Sequence, residues 1–177
     1  VDLKTGQTRT PVTADAVKAA YPDWIAQKFG DRPVSIFFPV LGPTLDRVFF
    51  KMATPAGGDF RSGKASFRTG LVGYDLAGAR FLCLRDWGHP AWHPNGRAVL
   101  DRGGRGLTLF DMVANRLEKD LATPPLPGGH PAFASDGRTF ACDRHLKGSE
   151  QWDVVLGDFE SGQTLVLHQF DMSRGAA

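Results

Sequence analysis

Apolar positions in this chain come in short runs, among them Phe49-Phe50, Leu71-Val72, Phe81 to Leu84, Leu107 to Phe110 and Val154 to Leu156, with turn-forming residues at close intervals between them. Such runs, bounded by Asn-Gly, Asp-Gly or Ser-Gly, predict strands joined by tight turns. One segment breaks the pattern. Between Thr13 and Arg32, the residues Val17, Tyr21, Trp24, Ile25 and Phe29 fall at helical spacing. Thr13 or Asp15 is placed to cap the start, Gly30 to end it, and Pro22 to divide it into two short helices. The segment reads as an insertion packed on the face or side of a β structure.

The strand pattern is also a repeat. Gly88-His89-Pro90-Ala91-Trp92-His93-Pro94-Asn95-Gly96-Arg97 aligns without gaps to Gly129-His130-Pro131-Ala132-Phe133-Ala134-Ser135-Asp136-Gly137-Arg138, at an offset of 41 residues. A third copy, Pro39 to Phe50, matches once one extra residue is allowed in its turn. Each copy is followed by an apolar run that ends in Asp and a turn, at Asp75, Asp111 and Asp158, and Val1 to Thr8 resembles that second phrase alone. A unit of ~40 to 45 residues with four short strands is the signature of a β-propeller blade. The expected fold is therefore all-β: propeller blades of four antiparallel strands with a short helical insertion. The expected organisation is the end of an incomplete blade (1–13), the helical insertion (14–34), three blades (35–84, 85–127 and 128–170) and a tail (171–177). Three blades are fewer than the roughly four to eight of a closed ring, so the chain reads as a piece of a larger propeller whose remaining blades are missing.

Charge changes this picture locally and not globally. Lys and Arg number 21 against 19 Asp and Glu, a net charge of +2, which gives no field for nucleic acid or an anionic membrane. No apolar run approaches the ~20 residues of a membrane-spanning helix. Cys83 and Cys142 each sit in an apolar run and read as buried reduced thiols, which leans toward the cytoplasm without fixing the compartment. No spacing of Cys and His suggests structural zinc.

In a four-strand meander, the lead-in to strand one and the loop joining strands two and three share one end of the blade. That end collects His89, His130 and the segments 53–70, 101–106 and 143–152, whose charges sum to +3 with His neutral. Arg61, Lys64, Arg68, Arg102, Arg105 and Arg144 are the candidate contacts for an anionic substrate, since Arg offers planar two-pronged binding to a carboxylate. His89 and His130 occupy equivalent positions. Each is suited to act as base, ligand or donor, and their recurrence also suits a scaffold role between blades. His145 has no counterpart in the preceding blade and is, with His130, a candidate catalytic residue; His89 joins the substrate-binding set.

The phrase His-Pro-x-Trp/Phe-x-Pro/Ser-Asn/Asp-Gly-Arg resembles the repeat of TolB-type propellers. The two Gly-His-Pro starts, with Phe140-Ala141-Cys142-Asp143, resemble the blades of oligogalacturonate lyase over Ser35 to Phe170. That resemblance implies β-elimination on an acidic oligosaccharide, with a histidine base, arginines on the uronate carboxylate and a divalent, manganese-type ion. The implied ligands of that ion are not seen in this sequence, which has no His-x-His. Two alternatives stay open: a non-catalytic TolB-like propeller binding a protein or peptide, and the propeller of a serine peptidase, although no Gly-x-Ser-x-Gly nucleophile turn occurs in the chain.

Overall fold

Each repeat folds as a four-stranded antiparallel meander in a computed structural model that describes residues 4–55, 67–86, 88–103, 106–121, 129–146 and 148–174. The first sheet orders β1 (Ser35–Leu41), β2 (Arg47–Ala53), β3 (Arg68–Asp75) and β4 (Arg80–Arg85) side by side. The second orders β5 (Ala91–Trp92), β6 (Ala98–Gly103), β7 (Gly106–Asp111) and β8 (Arg116–Leu121). The third orders β9 (Ala132–Phe133), β10 (Thr139–His145), β11 (Gln151–Asp158) and β12 (Thr164–Asp171). The expected meander is thus present in all three copies.

The turn between the first two strands of each sheet shows why its residues recur. Asn95 Oδ1 accepts from the N–H groups of Arg97 and Ala98 at 2.9 and 3.1 Å, and Asp136 Oδ1 accepts from Arg138 and Thr139, both at 2.8 Å. The next residue must enter the left-handed region, which glycine does without steric cost: Gly96 has φ 66° and Gly137 φ 68°. In the first sheet that place is held by Leu45, at φ 60°. A common backbone bond fixes the equivalence, because Leu76, Met112 and Phe159 donate to the carbonyls of Asp46, Arg97 and Arg138 at 2.8, 3.0 and 2.8 Å. The first copy therefore aligns without the extra turn residue that sequence comparison allows it; a leucine replaces the glycine instead.

The aspartate that ends each third strand caps the following turn. Asp75 Oδ1 accepts from Gly78, Asp111 Oδ1 from Val113 and Ala114, and Asp158 Oδ1 from Glu160 and Ser161, at 2.8 to 2.9 Å. In the second and third sheets its other oxygen pairs with the arginine just before strand two, Arg97 to Asp111 at 2.9 Å and Arg138 to Asp158 at 2.5 Å. The N–H of Ser161, with Arg138 and Glu160, overcomes desolvation and holds the Asp158 carboxyl down at about 2. At Asp111 burial opposes ionisation, but the N–H groups of Ala114 and Val113 and the Arg97 guanidinium outweigh it and lower its pKa.

Two compact units divide the chain, Val1–Leu41 with Leu45–Trp87, and Gly42–Thr44 with Gly88–Ala177. In the first, α1 (Ala14–Ala20) and α2 (Pro22–Phe29) cover one face of the first sheet, burying Val17, Ile25 and Phe29 against Val48, Phe50, Met52 and Val72. Thr13 caps α1 by accepting from the Ala16 N–H at 3.1 Å, Pro22 begins α2 and Gly30 ends it. In the second unit, Leu107 and Leu109 of β7 pack into Phe133, Phe140, Cys142, Val155 and Phe159 of the third sheet. Lys119 of β8 crosses the same junction, donating to the carbonyls of Phe159 and Glu160 at 2.7 and 3.0 Å with its ammonium 5.2 Å from the Phe159 ring. His93 ties the two turns: its Nδ1 accepts from the Asn95 N–H at 3.1 Å, so its Nε2–H donates to the Gly137 carbonyl at 2.8 Å. Both cysteines are buried thiols, one in each unit.

Candidate functional site

At the other end of the third sheet the chain does something the repeat does not require. Gly129 sits at φ 106°, and a Cβ there would lie 1.8 Å from the Asp143 carbonyl oxygen, so only glycine admits this approach. The approach carries His130 onto the side chain of Asp143. Its backbone N–H donates to Asp143 Oδ1 through a short hydrogen bond, and its Nδ1 lies 3.1 Å from Asp143 Oδ2. A carboxylate on Nδ1 selects the tautomer in which Nδ1 carries the proton and Nε2 presents its lone pair. The imidazole is 69% exposed and the carboxylate 30%, so Nε2 is open to a solute. The His89 ring meets the His130 ring edge to face, with centroids 4.6 Å apart. The pair and its carboxylate form a wall of two imidazoles backed by one anion.

The remaining expected residues divide sharply. Strand β10 runs to His145 and β11 starts at Gln151, pairing Asp143 with Val154, Arg144 with Asp153 and His145 with Trp152. Asp143, Arg144 and His145 are therefore strand residues, and the connection shrinks to residues 146–150. Arg144 is committed to Asp153: Nε donates at 3.0 Å and a terminal nitrogen bonds the same oxygen. Asp153 is 2% exposed and also accepts from Gln169 Nε2 at 3.0 Å. The Arg144 bond, then Gln169, holds the Asp153 carboxyl below the usual carboxylate range against desolvation. His145 donates from Nε2 to the Ser149 carbonyl at 2.7 Å and lies over Trp152. Both side chains brace the hairpin.

Arg68 belongs to the first unit, where its guanidinium lies 4.6 Å from the centre of the Phe37 ring. Lys51 reaches the same ring at 5.9 Å, and burial, then Arg68, pushes the lysine down to about 8. Arg102 is placed by its backbone, in β6 opposite Leu107. Arg61, Lys64 and Arg105 lie outside the described residues. Sequence reasoning missed Asp143 as the partner of His130. The signal was available, since the pairs Phe133 with Phe140 and Ala132 with Ala141, extended along the strands, set Asp143 opposite His130.

The three meanders, their turn chemistry and the packing of the second sheet on the third decide the architecture. The chain is part of a β-propeller. The fold is similar to TolB from Acinetobacter baumannii, at 16% identity and a TM-score of 0.52 over 77% of this chain and 32% of that one. It is also similar to oligogalacturonate lyase in complex with manganese (15% identity, TM-score 0.50, 77% of this chain and 42% of that one). A third likeness is to the acylaminoacyl peptidase of Pyrococcus horikoshii (12% identity, TM-score 0.52, 82% and 26%). The chain thus spans between about a quarter and under half of these propeller proteins. Such identities establish the propeller fold and not an activity. No protein-family model and no curated protein sequence matches the chain. Among the described residues no helix is long and apolar enough to cross a membrane.

Proposed function

We propose that the propeller acts on an acidic oligosaccharide by β-elimination, with His130 as the base. The observation that carries this reading is the His130–Asp143 pair, which turns Nε2 outward on an exposed ring beside His89. In the reaction, Nε2 takes the proton on the carbon next to the uronate carboxylate. The electron pair of that C–H bond becomes a carbon–carbon double bond, the glycosidic C–O bond breaks, and the leaving oxygen takes up a proton. The proposal takes that proton from His89, whose ring meets that of His130. Asp143 keeps the His130 tautomer fixed and offsets the charge on the ring once it is protonated. The proposed contacts for the uronate carboxylate in the same unit are Arg102 and Arg105.

The manganese-type ion implied by the resemblance finds no fit: among the described residues no three His, Cys, Asp or Glu side chains are grouped to hold a metal. The test is the rise in ultraviolet absorbance of an unsaturated uronate when the protein meets oligogalacturonides, assayed with and without manganese. We expect product from the native chain and a loss of about 100-fold or more in His130→Ala. Absence of product under both conditions would remove the lyase reading.

A second reading, recognition of a protein or peptide without catalysis, is favoured by Arg144 and His145, both already engaged by their own hairpin. Under it, His130→Ala weakens binding, and no unsaturated product forms.

A further inference from the structure

The start of the inner strand is one address in all three blades, and the first blade fills it with different chemistry. Leu41, Trp92 and Phe133 pair with Val48, Val99 and Phe140. Counting three positions back along the inner strand, Phe38 stands where His89 and His130 stand in the other two copies. Counting three positions on along strand two, Lys51 stands where Arg102 and Asp143 stand. The third blade thus sets a carboxylate on an imidazole, whereas the first sets an ammonium over a phenyl ring, with Lys51 Nζ 5.9 Å from the centre of Phe38. The same nitrogen is 5.9 Å from the Phe37 ring, and the Arg68 guanidinium lies 4.6 Å from that ring.

Two features of this corner work against stability. Phe38 sits at φ 53°, in the left-handed region, where the pairing of β1 with β2 is irregular between Phe37 and Val40. A bulky side chain is strained in that conformation, and irregular pairing of this kind re-aims a side chain. Here it aims an apolar ring into solvent, 56% exposed. The second feature is the approach of two like charges, since Lys51 of β2 and Arg68 of β3 share the Phe37 ring. Burial, then Arg68, pushes the lysine down to about 8. An anion seated against both cations relieves their repulsion and restores the charge on the amine. A flat apolar body attached to that anion covers Phe38.

We propose that this corner of the first blade binds a carboxylate carried on a flat apolar body, with Lys51 and Arg68 on the carboxylate and the body against the Phe38 ring. A guanidinium on an aromatic ring combines cation–π attraction with a planar fork suited to a carboxylate. All four residues belong to the first compact unit, so the site stands apart from any reaction at His130. Strand alternation also sets Lys51 on the opposite face of β2 from Val48, Phe50 and Met52, which the two helices cover. The chemistry suits an aromatic acid, or a sugar acid that offers the C–H face of its ring.

Calorimetry on the native chain with benzoate, galacturonate and acetate at pH ~8 tests this. Benzoate or galacturonate should bind about five- to tenfold tighter than acetate, which has the charge without the flat body. The tighter of the two identifies the body as an aromatic or a sugar ring. Binding should also draw up to about half a proton from the buffer, read as an enthalpy that varies with the buffer's heat of ionisation. Lys51→Met should abolish that uptake and weaken binding about tenfold. Phe38→Gly separates a ligand role from a structural one. Glycine relieves the strain at φ 53°, so the melting temperature should rise while binding weakens. A lower melting temperature in Phe38→Gly, or binding left unchanged by it, would overturn the proposal. So would equal binding of the three acids without proton uptake, or no binding, the result if both cations are already satisfied within the fold. If Lys51→Met does not fold, Phe38→Gly, at an exposed position, decides.

Discussion

The two ends of the second and third blades behave differently. At the turn end the repeat is chemical as well as geometric: Asn95 and Asp136 cap, Gly96 and Gly137 reverse the chain, and Arg97 and Arg138 brace Asp111 and Asp158. At the opposite end equivalent positions diverge. The 41-residue offset sets Arg102 of the second blade against Asp143 of the third, and the connection between the two middle strands lengthens from residues 104–105 to 146–150. A position that must close a turn admits few residues, whereas one facing solvent at a blade end is free to change. His89 and His130 therefore share an address but not a sequence context, because the second blade carries Arg102 at the position where the third carries Asp143.

The largest expected effect lies at the divergent end. Asp153→Ala strands the Arg144 guanidinium in a half-buried site and should cost about 3 to 5 kcal/mol in chemical denaturation. Loss of under about 1 kcal/mol would show the pair to be a surface contact and the hairpin to be held otherwise. Gly129→Ala sets a Cβ against the Asp143 carbonyl at positive φ. It should destabilise by about 2 kcal/mol or more while also reducing any activity that depends on His130.

The turn end predicts a response to acid. A carboxyl depressed in the folded state stabilises it above its unfolded pKa, and that stability is lost as pH falls through the folded value. For Asp158 the window runs from about 4 down to about 2. Asp111 is shifted in the same direction. Denaturation midpoints should therefore drop across that window. Replacing both aspartates with Asn should flatten the drop, and an unchanged profile would break the assignment. The smallest effect comes from the first sheet, whose turn lacks the glycine of the other two. Leu45→Gly should raise stability by about 0.5 to 1 kcal/mol, since a β-carbon at φ 60° is strained and the side chain is 68% exposed. A melting temperature that falls would show that the leucine contributes packing.

What was legible in the sequence follows the same division. The blades, their strand order and the paired helices were readable because turn dipeptides and apolar period are local signals. The Thr13 cap and the Pro22 break were readable for the same reason. Leu45 hid the register of the first copy, since the turn it closes is recognisable only from the backbone bond of Leu76 to Asp46. The His130–Asp143 pair and the commitment of Arg144 to Asp153 depend on how far β10 and β11 extend. Charged residues near a hairpin look like loop residues until their cross-strand partners are known. Arg144 and His145, singled out for their charge and chemistry, are used for bracing, while Asp143, counted only as a loop charge, holds the histidine.

Burial pushes Cys83 up to about 11, and its thiolate is scarce at neutral pH in the folded chain. Cys142 lies among Phe140, Val155 and Phe159. With one such sulfur in each compact unit, alkylation by a small reagent becomes a pair of internal clocks. The rate at which each cysteine is labelled reports how often its own unit opens, and the ratio of the two rates measures whether the blades come apart together or one unit at a time.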